Sequence, residues 1–221
     1  MGATHYIPRA PALAAACARF NRGVLARLRS DPRIRIVVLG AAWAAPFYRD
    51  WEDGWLVVDS AQTRQAPSAD TANALFTASL RATISSLDAA GKQVLVVEDA
   101  PEFPVNPLWR VESARISARR RLDAWLRIAG ADDPGVAPAD NNPLIALSNS
   151  LLEEAVARSP GAGIIRLRPA LCAASNLCAY RRGEQLLYAD SSHLSAAGAI
   201  DALGALRLAA PGGTPNSAAT P

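Results

Sequence analysis

The residues best suited to chemistry lie near the carboxyl end of the chain, in the run Tyr188-Ala-Asp-Ser-Ser-His-Leu-Ser-Ala-Ala-Gly-Ala199. Asp190 precedes His193 by three residues, so its carboxylate can hold one ring nitrogen while the other nitrogen faces a reacting hydroxyl. Such a pair is the orienting half of a serine-nucleophile triad, with the histidine as general base. The alternative is a structural His193 at a helix start, hydrogen-bonded to Asp190. Ser191, Ser192 and Ser195 are interpreted as turn and helix-cap residues.

Alternating helical and strand-like apolar periodicity predicts the elements that position this pair, and it favours a mainly parallel sheet covered by helices. A strand is expected over Gln185–Tyr188, directly before the pair, and a helix over Leu194–Leu208 after it. The other predicted helices cover Pro11–Arg29, Ser68–Ala90, Ser113–Ile128 and Pro143–Ala157, and the other strands cover Ile34–Leu39, Trp55–Val58, Val94–Val97 and Ile164–Leu167. No linker divides the chain, so we predict one domain over residues 1–210 and a disordered tail over residues 211–221.

The composition fits a single α/β domain with a sizeable core: 221 residues, 50% hydrophobic, 19% charged, with a net charge of +3. We predict no nucleic-acid partner, because such proteins present a clustered basic face with interleaved aromatic residues. The one basic run, Arg119–Arg121, is interpreted as a solvated helix face. A contact with an anionic glycan or phospholipid is the less favoured alternative.

Membrane, leader and metal signals are missing from the sequence. No run approaches the ~20 apolar residues of a membrane span, and Met1–Ala10 does not have the pattern of a signal peptide, so the residues alone predict a cytoplasmic chain. The two histidines and three cysteines form no paired ligand motif, so no metal and no cofactor is expected. Cys172 and Cys178 are spaced for either a short-range disulfide or two free thiols, and Cys17 is left over.

The closing run resembles the last sequence block of SGNH (GDSL-like) hydrolases. It is most similar to the SGNH domain fused to the C-terminus of bacterial acyltransferase family 3 membrane proteins, where Tyr-x-Asp-x-x-His-Leu-Ser-x-x-Gly-Ala is typical. Three further segments fit the same subgroup: Cys17–Asn21 opening a helix, Ile34–Trp43 as a strand ending in Trp, and Lys92–Pro101 as a strand leaving into a proline-rich loop. The resemblance runs from about Cys17 to Leu206. It implies a three-layer αβα fold with a mainly parallel sheet.

The resemblance also implies roles for particular residues. His193 would take the proton of a serine and later activate an acceptor hydroxyl or water, and Asp190 would fix the histidine tautomer. Trp43 is the candidate for the wall of a substrate pocket, although packing as a core tryptophan is the favoured alternative. The resemblance favours the disulfide between Cys172 and Cys178, which would indicate an oxidising compartment.

One block of the pattern is missing, because no Gly-Asp-Ser occurs in the sequence. We therefore expect a domain that is truncated at its N-terminus and lacks the first strand and the nucleophile turn. Ser60, after Val57-Val58-Asp59, is a poor substitute, since the glycine that allows a sharp turn and an oxyanion hole is replaced by Val58. The strand ending in Gly40-Ala-Ala-Trp43 also offers no asparagine for that hole.

The function that the resemblance implies is transfer or hydrolysis of an acyl group, usually acetyl, on a hydroxyl of a surface polysaccharide such as lipopolysaccharide O-antigen or exopolysaccharide. The donor would be a membrane acyltransferase domain preceding it, and the compartment the periplasm. Without the serine, we expect the chain alone to be weak or inactive, so whether it is an enzyme stays open. One alternative is a non-catalytic glycan-binding or interaction module on the same fold. A second is a gene fragment of marginal stability.

Overall fold

The computed structural model describes residues 3–6, 11–47, 56–59, 68–126, 135–173 and 176–204. The strands are β1 (Ala3–Tyr6), β2 (Ile36–Leu39), β3 (Leu56–Asp59), β4 (Gln93–Val97), β5 (Val136–Pro138), β6 (Ala162–Ile165), β7 (Leu177–Ala179), β8 (Arg181–Arg182) and β9 (Gln185–Leu186). The helices are α1 (Pro11–Ser30), α2 (Ala69–Asp88), α3 (Leu108–Arg115), α4 (Ser117–Trp125), α5 (Pro143–Ala157), α6 (Arg168–Leu171) and α7 (Ala196–Gly204). The predicted tail over residues 211–221 lies outside the described residues.

The chain divides into two compact units, one of Met1–Pro101 with Asn141–Leu167 and one of Glu102–Asp140 with Arg168–Pro221. The first unit contains a parallel sheet in the order β2-β4-β6. Its strands are short apolar runs, as expected for a sheet covered by helices. The strands β1 and β3 pair with each other in antiparallel fashion, and β1 was not predicted.

The core of the first unit forms between this sheet and helices α2 and α5. Ile84, Leu87, Val94, Val96 and Leu152 are completely buried there. Helix α2 buries one side because its apolar residues recur every three or four positions.

Both of these helices begin at side-chain caps. Ser68 accepts a hydrogen bond from Thr71 N–H at the start of α2, and Asn142 accepts one from Leu144 N–H at the start of α5, where Pro143 occupies the first turn. The caps explain why the predicted start of each helix lies within one residue of the observed start.

The predicted helix over Ser113–Ile128 is wrong in its continuity. Ile116 adopts an extended backbone (φ −79°, ψ 106°) that separates α3 from α4. The first of the two helices also begins earlier than predicted, at Leu108, whose N–H donates to the Asn106 side chain. Only part of the predicted strand Ile34–Leu39 forms β2, in which Val37 is buried and Val38, on the opposite face, is 53% exposed.

The second unit is built from short strands around buried aromatic rings. Strands β5 and β7 pair in antiparallel fashion, and β8 and β9 form a hairpin through Gly183, whose positive φ of 56° suits glycine. Phe103 packs edge-to-face against Tyr180 and Tyr188, with ring centroids 6.0 and 4.9 Å apart. Helix α7 packs against α6 and β9. Among the described helices, none has both the length and the apolar character to cross a membrane.

Candidate active site

The candidate site is a tight turn between β9 and α7. Tyr188 and Leu194 form an antiparallel bridge across the turn, and Ala189 N–H donates to His193 C=O at 2.8 Å. The predicted strand over Gln185–Tyr188 is therefore observed in part, as β9 followed by this bridge. The turn holds its acid and its histidine in one short backbone loop.

Asp190 uses both of its carboxylate oxygens within that turn. Oδ2 lies 2.8 Å from His193 Nδ1, and Oδ1 accepts hydrogen bonds from the N–H groups of Ser192 and His193, both at 2.8 Å. An ionised carboxylate can only accept, so Nδ1 carries the proton and Nε2 is left as the basic nitrogen. The sequence-predicted pair is thus brought together in the orientation that general-base chemistry needs.

The electrostatics of the turn keep Asp190 ionised at neutral pH. The backbone N–H groups of Ser192 and His193, with a further contribution from the His193 ring, lower the pKa of Asp190 to about 2. The His193 side chain is 76% exposed and that of Asp190 44%. Among the described residues, nothing hydrogen-bonds to His193 Nε2, so this nitrogen is accessible to a reacting hydroxyl.

Hydrogen bonds made by Ser191 and Ser195 hold the turn against the rest of the second unit. Phe103 N–H donates to Ser191 C=O at 2.8 Å. The Ser195 hydroxyl donates to Leu186 C=O at 2.6 Å and accepts from Gly198 N–H at 2.9 Å, as a helix cap does. Tyr188 is buried beneath the turn, and burial, followed by the charge of Glu102, raises the pKa of its phenol.

A family model described as "SGNH domain (fused to AT3 domains)" matches residues 3–203. The chain belongs to this SGNH family. The predicted family and its α/β fold with a mainly parallel sheet are therefore confirmed. Neither a curated protein nor a solved structure matches the chain.

Within the described ranges, Ser192 is a serine whose hydroxyl approaches the His193 ring. Ser192 Oγ lies 3.3 Å from Nδ1, on the side of the ring that Asp190 already occupies, so it is not placed for proton transfer to Nε2. The weak substitute Ser60 lies outside the described residues. Among the described residues, no serine hydroxyl hydrogen-bonds to His193 Nε2.

Trp43, the predicted substrate-binding residue, lies after β2 in the first unit. Its indole N–H donates to Val97 C=O at 2.7 Å, and its ring packs edge-to-face on Phe76 at 6.0 Å. The side chain is thus partly engaged in packing and hydrogen bonding within that unit. Its contact with a substrate stays a prediction.

Asp99 organises the segment around Trp43, and the sequence analysis missed it. Its carboxylate accepts from the N–H groups of Trp43 and Ala44, both at 2.9 Å, and from the Ser148 hydroxyl at 2.7 Å. Asp99 N–H in turn donates to the Asn149 side chain at 3.0 Å. Burial raises the pKa of Asp99, and the three donors oppose that rise. The sequence signal that could have indicated Asp99 is its position two residues after the apolar strand β4.

Two of the three cysteines form a disulfide. Cys172 and Cys178 are joined by a disulfide and also form an antiparallel bridge, whereas Cys17 is a free, partly buried thiol. Within the described part of the chain, no group of three His, Cys, Asp or Glu side chains is arranged to hold a metal ion.

Proposed function

We propose that this SGNH domain acts in the transfer or hydrolysis of an acyl group, with His193 as general base and Asp190 as the residue that orients it. The observation that carries the proposal is the 2.8 Å contact between His193 Nδ1 and Asp190 Oδ2, together with the exposure of the ring. Nε2 would remove the proton of an attacking hydroxyl as its oxygen bonds to the acyl carbon. The resulting imidazolium would return that proton to the leaving group.

The acyl group proposed is acetyl, and the acceptor is a hydroxyl of a surface polysaccharide, such as lipopolysaccharide or exopolysaccharide, in the bacterial periplasm. This part rests on the type of family, whose members are fused to a membrane acyltransferase domain that would supply the acyl group. The open position of His193 supports it, because a polymer end or branch can reach an exposed ring more easily than a buried one.

We further propose that the 221 residues alone turn over acyl esters poorly, because they contain no Gly-Asp-Ser block. Loss of the serine from a complete triad costs about a millionfold in turnover, against about 10 s⁻¹ for an ordinary enzyme. Turnover on the order of 10⁻⁵ s⁻¹ is therefore expected.

The test is hydrolysis of p-nitrophenyl acetate by the purified chain, compared with H193A, D190N and H5A. The chain has only two histidines, so H5A is a matched control for the loss of an imidazole. We expect a slow rate that falls severalfold in H193A and in D190N and that is unchanged in H5A. A slow rate equal in all four proteins would contradict the role of His193. A fast rate abolished by H193A would contradict the predicted weakness and redirect attention to Ser60.

The alternative function is a non-catalytic glycan-binding module. The wide exposure of His193 and Asp190 is compatible with a polar surface that binds sugar without reacting with it. Calorimetric titration with an O-acetylated oligosaccharide distinguishes the two functions. Saturable binding that survives H193A, with no His193-dependent ester hydrolysis, would favour the binding module.

A further inference from the structure

The segment of the second unit that contains helices α3 and α4 carries a concentration of exposed apolar side chains. Helices α3 and α4 pack mainly against each other. Of the eleven large hydrophobic side chains that are exposed among the described residues, six lie between positions 105 and 126. They are Val105, Trp109, Ile116, Leu122, Trp125 and Leu126. We call these six residues, with the exposed Arg115, Arg119 and Arg121, the α3–α4 surface.

The charge of the chain is concentrated in the same place. Residues 108–126 contain five arginines and two acids, a net charge of +3, whereas the other 202 residues contain 18 basic and 18 acidic residues. The net positive charge of the whole protein therefore equals that of this segment. Arg119 lies with its guanidinium carbon 5.6 Å from the centroid of the Trp109 ring and donates to the Ser113 hydroxyl. Charge and exposed aromatic area are thus adjacent.

We propose that the α3–α4 surface binds a membrane surface rich in anionic phospholipid. Tryptophan prefers the boundary between headgroups and acyl chains, and arginine can extend to the phosphates while apolar neighbours enter that boundary. Leu122, Trp125 and Leu126 are spaced three and four positions apart, so they share one side of α4. An interfacial helix combines such an apolar side with basic residues. This proposal is independent of the acyl chemistry proposed for His193.

The apolar part of the surface favours a membrane over a soluble polyanion. Nucleic acids and acidic polysaccharides are bound through cationic groups and stacking aromatic rings. Neither ligand offers a continuous apolar phase for a group of aliphatic side chains such as Ile116 and Leu122, which are 55% and 52% exposed. A lipid surface covers both the aliphatic and the aromatic residues and neutralises the arginines.

The experiment is co-sedimentation of the 221-residue chain with vesicles of phosphatidylcholine alone or of phosphatidylcholine and phosphatidylglycerol in equal parts. We expect binding to the anionic vesicles, a blue shift of tryptophan emission, and weaker binding as salt is raised from about 0.1 to about 0.5 M. Binding to both vesicle types with one affinity, or to neither, would overturn the proposal.

Variants test whether the α3–α4 surface is the part that binds. R115Q/R121Q should lower affinity for the anionic vesicles about thirtyfold, since each arginine near such a surface contributes about 1 kcal/mol. W125S, at a side chain that is 78% exposed, should lower it about tenfold. The matched control F20S/R22Q removes an exposed aromatic residue and an exposed arginine from α1, in the other unit, and should leave affinity unchanged. Circular dichroism checks that each variant is folded.

Two further readouts keep the proposal falsifiable if a variant does not fold. Vesicles should protect the wild-type tryptophans from quenching by acrylamide, and unchanged quenching would overturn the proposal. Heparin supplies a polyanion without an acyl phase. Heparin binding as tight as vesicle binding and insensitive to W125S would identify a polyanion site instead.

Discussion

Asp190 accepts hydrogen bonds from four donors within one turn: the backbone N–H groups of Ser192 and His193, the Ser192 hydroxyl and the ring of His193. The two backbone N–H groups contribute more to its low pKa than the His193 ring does. The carboxylate is therefore kept ionised mainly by the backbone of the turn, and the ring adds to that effect. The turn resembles an Asx-type turn, in which the Asp190 side chain accepts hydrogen bonds from the backbone two and three residues later. Here the His193 ring donates to the same carboxylate.

The low pKa of the Asp190 carboxylate can be measured directly. In carbon-detected NMR, Asp190 should titrate with a pKa of about 2, and in H193A its pKa should stay below the ordinary 3.8 because both backbone donors remain. Since the folded pKa is lowered, the stabilisation is present above about pH 4 and is lost as the pH falls toward 2. An Asp190 that titrates near 3.8 in the wild type would show that the turn does not hold its carboxylate as described.

The histidine and the acid were predictable from sequence because their contact is local, across three residues. The contacts of Asp99 were not, because its partners Trp43 and Ser148 lie 56 and 49 positions away. Long-range contacts depend on which strands become neighbours, and residue spacing alone does not contain that information. The disulfide between Cys172 and Cys178 is also local, but the spacing of the two cysteines was equally compatible with two free thiols.

At the scale of elements, the predictable helices are those with a cap and a clear apolar side. Helices α2 and α5 each have a clear apolar side, and their caps are Ser68 and Asn142. The break at Ile116 had no glycine or proline to mark it, so apolar periodicity predicted a continuous helix there. Strands β5, β7 and β8 have two or three residues each, too few to show a period of two.

Helix α7 contacts the Leu187 backbone closely at Gly198. A Cβ on Gly198 would lie 1.8 Å from the Leu187 carbonyl oxygen and 2.6 Å from its carbon, so the backbone of α7 would have to move away from the Leu187 backbone. G198A should therefore lower the free energy of unfolding by about 3 kcal/mol in urea denaturation.

Helix propensity alone predicts the opposite sign for that substitution, because alanine is favoured over glycine by about 1 kcal/mol. A G198A protein as stable as the wild type would therefore contradict the close approach of α7 to Leu187. The control is A196G, at an exposed position of the same helix, which should cost no more than about 1 kcal/mol.

At the scale of the whole molecule, the disulfide connects stability to compartment. A native bridge constrains the unfolded chain, and for a loop as short as Cys172–Cys178 the gain is about 2 kcal/mol. C172S/C178S should therefore melt about 5 °C below the wild type in differential scanning calorimetry. An oxidising compartment would preserve this gain, in agreement with the proposed periplasmic location.

Cys17 offers the control for that measurement. It is a free thiol, so C17S should melt close to the wild type, and dithiothreitol should lower the melting temperature of C17S but not that of C172S/C178S. If dithiothreitol reduces the bridge, as judged by mass, without moving the wild-type melting temperature, the bridge does not stabilise the fold.

The bridge between Tyr188 and Leu194 also affects the order in which contacts can form during folding. Asp190 and His193 are separated by only two residues, whereas the parallel sheet must bring Val94 beside Ala162 although α3, α4, β5 and α5 lie between them in the chain. Closing a longer loop costs more entropy, and contacts between distant residues form more slowly. The turn that holds Asp190 and His193 can thus form among the earliest contacts, before the strands of the sheet have paired.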